Sequence, residues 1–171
     1  AAVPAGKAGR LWAYYAGDPP EGKQNWVMNS WCHGAPGNVR LFLLQHRADG
    51  SARALATAVA AGEGIASECR LESGTPSYAN PTYCCGAAGC LVACVDLHRA
   101  TRDPRHLARA RALADSILAG LRPGNSFRAF AAYDTEDEAE KKHPYYESGL
   151  MQGNAGIASV SGLPTFRVPA E

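Results

Sequence analysis

Thiol chemistry is the first thing the residues suggest. The chain carries six cysteines: Cys32, Cys69, Cys84, Cys85, Cys90 and Cys94. Four of them fall between positions 84 and 94, and two are adjacent. Neighbouring cysteines rarely bridge each other, because a disulfide needs a Cα separation and dihedral that adjacent residues reach only under strain. The segment Ala1 to Arg10 also lacks the apolar stretch of a secretory signal. The set therefore reads as reduced thiols in a reducing, cytoplasmic compartment, where clustered cysteine means metal binding or plain burial.

Position separates those two meanings. Cys32 lies in the phrase Trp31-Cys32-His33-Gly34-Ala35-Pro36-Gly37. The pair Cys84-Cys85 lies in Tyr83-Cys84-Cys85-Gly86-Ala87-Ala88-Gly89. A third phrase, Leu150-Met151-Gln152-Gly153-Asn154-Ala155-Gly156, keeps the same Gly-x-[Ala/Pro]-Gly ending without a cysteine. The first glycines are spaced by 52 and then 67 residues. Such a period denotes a repeat whose units bury their faces against one another. Packing neighbouring units would bring equivalent loops together. Cys32, Cys84 and Cys85 are then three metal ligands with a fourth position open, the arrangement of a catalytic metal site. Each also sits at a helix start, where the helix dipole favours thiolate over thiol. Trp31 and Tyr83 are expected to wall the pocket, with His33 beside the first ligand. Cys69, Cys90 and Cys94 read as packing residues. His46, His98 and His106 read as helix-surface residues, and His143 lies in a long loop from which it could approach the site. Gln152 and Asn154 carry no specific signal.

The elements that must hold these loops follow from the periodicity. The first 30 residues, broken by Pro4, Pro19 and Pro20, read as an irregular lead-in with a turn or two of helix at Leu11 to Tyr15. A mostly apolar helix covers Val39 to His46, Asp49-Gly50 breaks it, and a second helix runs from Ser51 to Ala61, weakened at its end by Gly62 and Gly64. Gly89 to Ala100 is apolar nearly all round, as in a helix buried on several sides. Asp103 as N-cap and Pro104 at the first helical position start the next. There Leu107, Ala110, Ala114, Ile117, Leu118 and Leu121 form one stripe, and Arg105, Arg109 and Arg111 fall off it. Residues 122–148 read as a long solvated loop, and a last apolar segment runs from Asn154 to about Ser161. The hairpin repeats thus span 31–72, 83–121 and 150–165.

Together the three phrases resemble the lanthionine synthetase C-like family, which includes the lantibiotic cyclases and their eukaryotic relatives. The resemblance covers roughly residues 24 to 165. It implies an all-α fold: part of an α/α toroid, about three of seven helical hairpins, with the phrases opening the last three inner helices. It implies one zinc ion held by Cys32, Cys84 and Cys85, the last standing where histidine is commoner in the family. A third thiolate would leave a substrate thiolate held there bound less tightly and more nucleophilic. The implied reaction is zinc-dependent addition of peptide cysteine thiols to dehydroalanine or dehydrobutyrine, giving lanthionine thioether rings. The implied partners are a dehydrated precursor peptide or a small thiol such as glutathione. In the family a histidine acid and a nearby aspartate come from the N-terminal half of the toroid. No motif here matches that half, so the catalytic acid has no assigned residue.

Length and composition bound these readings. Net charge is +1, which argues against a nucleic-acid partner. With 46% hydrophobic and 19% charged residues the chain can bury a core. No run approaches the roughly 18 apolar residues of a membrane helix. Seven hairpins at this spacing would need about 360 residues. A chain of 171 is therefore expected to be the C-terminal part of a single toroid domain, partnered by an upstream domain or the N-terminal half. A non-catalytic zinc- or thiol-binding module is the alternative. A carbohydrate-acting toroid would need paired carboxylates at a cleft, whereas the acidic residues here concentrate in Glu136 to Glu140.

Overall fold

A computed structural model describes residues 2–27, 29–72, 81–119, 121–123, 128–130, 151, 156 and 159. Two helical hairpins make up most of them. Strands β1 (Ala2–Ala5) and β2 (Gly9–Trp12) come first, then helices α1 (Ala35–Asp49), α2 (Ala52–Glu68), α3 (Ala87–Thr101) and α4 (Pro104–Ala119). A short antiparallel pair follows, β3 (Leu121–Pro123) and β4 (Arg128–Phe130). None of the helices among the described residues is long and apolar enough to cross a membrane.

The 52-residue period reaches into the corners of the hairpins. Helix α1 ends at Gly50, whose left-handed backbone (φ 71°) lets its N–H bond the His46 carbonyl at 2.8 Å. Fifty-two residues on, α3 ends at Arg102 with φ 58°, bonding the His98 carbonyl at 2.8 Å. His46 Nδ1 donates to the Ser51 carbonyl at 3.1 Å, and His98 Nδ1 to the Asp103 carbonyl at 3.0 Å. These two histidines are corner braces, each half-buried. The following helices are capped as their sequences require: the Ser51 hydroxyl accepts from Ala54 N–H, and the Asp103 carboxylate accepts from Arg105 N–H.

The core joins the two hairpins. Val39, Ala58, Ala61, Ile65, Leu91, Val95, Leu97, Ala110 and Leu113 are buried in it. Helix α1 packs along α2, α3 packs along α4, and α1 lies beside α3. Helix α2 does not weaken at Gly62 and Gly64 but runs on to Glu68. The reason is close approach: a Cβ on Gly62 would meet the Leu97 side chain, and one on Gly64 would meet the Arg10 backbone of β2. The lead-in is likewise not irregular throughout, and Leu11 to Tyr15 is not helical. β1 and β2 form an antiparallel hairpin turning at Gly6 (φ 59°), with Ala2 opposite Trp12. It lies on α2, which buries Leu11.

Burial along the helices departs from the expected pattern in two places. Helix α1 is not buried on several sides, since Leu41 and Leu44 are 58% and 60% exposed. Helix α4 is rotated from its expected stripe. His106, Arg109, Leu113 and Ile117 face inward, and Leu118 is exposed. Residues 121–130 are not loop throughout, because β3 and β4 pair there. His143, the acidic run and most of the third hairpin lie outside the described residues.

Candidate metal centre

The two loops that precede α1 and α3 are copies of one device. A buried hydroxyl stands two residues before the first cysteine of each phrase. The Ser30 hydroxyl accepts from His33 N–H at 3.2 Å, and the Thr82 hydroxyl from Cys85 N–H at 3.4 Å. Each loop then turns into its helix at an extended glycine, Gly34 or Gly86. The second glycine of each phrase has a steric duty. A Cβ on Gly37 would collide with the Trp31 carbonyl oxygen, and one on Gly89 with that of Tyr83. The loop folds back so tightly over the first helical turn that only glycine fits.

Backbone hydrogen bonds lace the phrases together. Trp31 N–H donates to the Cys84 carbonyl, and Cys84 N–H donates to the Met151 carbonyl, both at 2.8 Å. The three repeats therefore converge on one point although 52 or more residues separate them. Trp31 and Tyr83 pack with ring centroids 5.7 Å apart, and the Tyr83 hydroxyl accepts from Arg40 at 3.2 Å.

At that point Cys32, Cys84 and Cys85 bring their sulfurs within 4.8 Å of one another. The Cys32–Cys85 separation is 3.8 Å. Zinc–thiolate bonds of about 2.3 Å in a tetrahedron put sulfurs about 3.8 Å apart along an edge. The Cys32–Cys85 separation matches such an edge, and the other two separations stay within 4.8 Å. None of the six cysteines is in a disulfide, and Cys69, Cys90 and Cys94 are buried away from this cluster. Cys69 accepts from the Asn29 side chain at 3.1 Å and Cys90 donates to the Asn29 carbonyl at 3.6 Å, so they pack beneath the loop.

The cluster distributes charge unevenly. Burial pushes the Cys32 thiol up, but contacts with Ser30, Cys84, His33 and Cys85 outweigh it and bring the group down to about 7. Burial and the two neighbouring sulfurs push Cys84 up to about 12. Without a cation the cluster favours negative charge on Cys32, and adding charge on Cys84 is opposed. A divalent cation would remove that opposition.

His33 stands next to the cluster, with Nδ1 3.2 Å from Cys32 Sγ. Its ring stacks on Tyr14, with centroids 4.7 Å apart. Tyr14 is a neighbour that periodicity does not reveal, since it comes from the loop after β2. Ser30 and Thr82 carry a legible signal in retrospect, a hydroxyl at the same place in both phrases.

A family model described as lanthionine synthetase C-like protein matches residues 7–161. The chain belongs to that family. Its two described hairpins, with their loops gathered at one end, are part of the family's α/α toroid. Among curated proteins, this LanC-like chain is 35% identical over 85 residues to glutathione S-transferase LANCL1 of Danio rerio. The aligned segment is 50% of this chain and 20% of that relative.

Proposed function

We propose that this chain is a zinc-binding portion of a LanC-like cyclase, which adds peptide cysteine thiols to dehydroalanine or dehydrobutyrine to form lanthionine thioethers. The observation that carries the reading is the three-sulfur cluster, all within 4.8 Å, with the Cys32–Cys85 pair at a tetrahedral edge length. Cys32, Cys84 and Cys85 would hold zinc, which when bound supplies a Lewis acid that keeps a substrate thiol deprotonated at neutral pH. The chain's own loops do the positioning. Ser30 and Thr82 fix the two cysteine-bearing turns, and the Trp31–Cys84–Met151 lacing holds them at one distance. Trp31 and Tyr83 wall the pocket, and His33 borders Cys32. In the reaction the thiolate sulfur bonds to the β-carbon of the dehydro residue. The double-bond electrons move toward the carbonyl, and the α-carbon then takes a proton. The donor of that proton is not assigned to any residue of this chain.

A second reading rests on the named relative. The Danio rerio protein is described as a glutathione S-transferase, which favours a small thiol at the same centre, or a thiol-binding module without cyclisation. Six cysteines without a disulfide among them suit a reducing, cytoplasmic setting. An N-terminal half of the toroid is the expected partner, and the exposed Leu41 and Leu44 of α1 are surface that such a partner would cover.

Metal analysis tests the proposal. The parent chain should take up one equivalent of zinc, and Cys32→Ala and Cys84→Ala should each weaken uptake by about 100-fold or more. Stoichiometric zinc in both variants would overturn the assignment.

A further inference from the structure

Beside the cysteine cluster lies a group of aromatic side chains that the core does not use. Tyr14, Trp26 and Val27 are 40%, 55% and 41% exposed. They sit on the loop between β2 and the first phrase, and that loop is pinned. Ala13 and Val27 form a bridge, and Tyr14 N–H donates to the Trp26 carbonyl at 2.8 Å. The Asn25 amide binds both backbone groups of Tyr15, accepting at 2.9 Å and donating at 3.3 Å, and it also donates to the Gly17 carbonyl at 3.1 Å. Ordering a loop costs conformational entropy, and here the order displays apolar rings to solvent.

The rings form one surface. Tyr14 packs edge-on to Tyr15 at 4.9 Å and to Trp26 at 6.2 Å, and it stacks on His33 at 4.7 Å. His33 in turn touches Cys32 at 3.2 Å. The path from sulfur to Tyr14 is therefore short, and an extended peptide advances about 3.3 Å per residue. A peptide whose cysteine reached the cluster would bring residues one or two positions away within reach of Tyr14, with Trp26 next to it.

We infer that Tyr14 and Trp26 are a specificity surface that receives an apolar, preferably aromatic, side chain flanking the substrate cysteine. The inference rests on the thiol-binding centre proposed above and selects between its two substrate classes. Glutathione flanks its cysteine with a γ-glutamyl group and glycine and has no apolar side chain to offer. The surface therefore favours a peptide thiol.

The test uses the full 171-residue chain loaded with Co²⁺; its three protein thiolates give a baseline charge-transfer absorption, and the increase on adding a thiol reports binding of a further sulfur. Four capped peptides carry Phe one or two positions before or after a single Cys, with Gly elsewhere. An all-Gly peptide and glutathione complete the set. The best Phe peptide should bind about fivefold to tenfold more tightly than the all-Gly peptide. That preference should fall below twofold in Tyr14→Ser and in Trp26→Ser. Cobalt content on the same samples reports separately on the metal centre. If Tyr14→Ser loses helical circular dichroism, the more exposed Trp26→Ser decides alone. Equal binding of Phe and Gly peptides by the parent would overturn the inference, as would a preference that survives in the folded variants. No increase of the charge-transfer band above the metal-loaded baseline with any thiol would instead defeat the metal–thiol reading, and the inference with it.

Discussion

Three cysteines of one chemical type are given different tasks by their surroundings. Cys32 is exposed and touched by a hydroxyl, an imidazole and two thiols, so its negative charge is met on several sides. Cys84 shares the cluster but is held as a thiol by burial and by its neighbours. Metal-free protein should show the difference by alkylation. With a value of about 7 against an ordinary 9, Cys32 is largely thiolate above neutral pH and loses that charge as pH falls through 7. Its modification by iodoacetamide should therefore have a half-maximal rate near pH 7, with Cys84 reacting slowly across the same range. Ser30→Ala removes one stabilising contact and should move the Cys32 midpoint upward. Peptide mapping after timed alkylation checks the order, and Cys84 reacting first at pH 7 would contradict it. That these three cysteines come together was legible in the sequence because two repeats put cysteine at the same place. What tunes Cys32 was not, because Ser30 and His33 act through distances that composition does not record.

At the scale of the element, the second glycine of each phrase decides whether loop and helix can meet. A Cβ added to Gly89 would run into the Tyr83 carbonyl and lie 3.2 Å from Trp31 Cβ. An added methyl must push the loop away from α3, and overpacking of this kind costs about 1–3 kcal/mol. The loop that moves carries Cys84 and Cys85, so Gly89→Ala should lower both the unfolding midpoint and metal affinity. Gly37→Ala should do the same through Trp31 and Cys32. Gly17, where an added Cβ would meet nothing within 4 Å, is the control, and Gly17→Ala should leave both quantities unaltered. Urea titration alongside zinc competition checks this. A destabilised Gly89→Ala that keeps parental zinc affinity would show that loop and helix are not coupled. The hairpins were readable because caps, glycine corners and apolar period agree. The β1–β2 hairpin was not, since strands of four residues leave too short a pattern, and α2 outran its glycines because tertiary contact overrides local propensity.

For the molecule as a whole, the least local feature is the ionic group between the hairpins. Arg109 on α4 is 4% exposed and pairs with both carboxylate oxygens of Glu63 on α2, at 3.0 and 2.6 Å, and also with Glu72. His106, one turn earlier, is 1% exposed, and neither ring nitrogen has a hydrogen-bond partner among the described residues. Read along α4 alone, both residues belong to a solvent face; the Arg109 partners, Glu63 and Glu72, lie more than 30 residues away, and no local pattern records them. The arrangement sets how the fold responds to acid. Burial and then the Arg109 charge hold His106 below its ordinary 6.5, outweighing Asp103 and Glu63, while Arg105 adds to the lowering. The bonds from Arg109 hold Glu63 below 4.5 against the opposing effect of burial. In both cases the unfolded chain takes up a proton more readily than the folded one, so stability rises with pH across each window. The His106 contribution is complete above about pH 6.5 and is lost as pH falls below it; that of Glu63 is lost below about 4.5. Urea unfolding free energy should therefore decline between pH 7 and 5 with a limiting slope of about 1.4 kcal/mol per pH unit for the single proton. His106→Leu, apolar and of comparable size, should flatten that decline while leaving the Glu63 loss below pH 4.5 in place. A parental slope in His106→Leu would place the titrating group elsewhere. Arg109→Leu should act differently, leaving Glu63 without its main partner and costing about 3–5 kcal/mol at neutral pH.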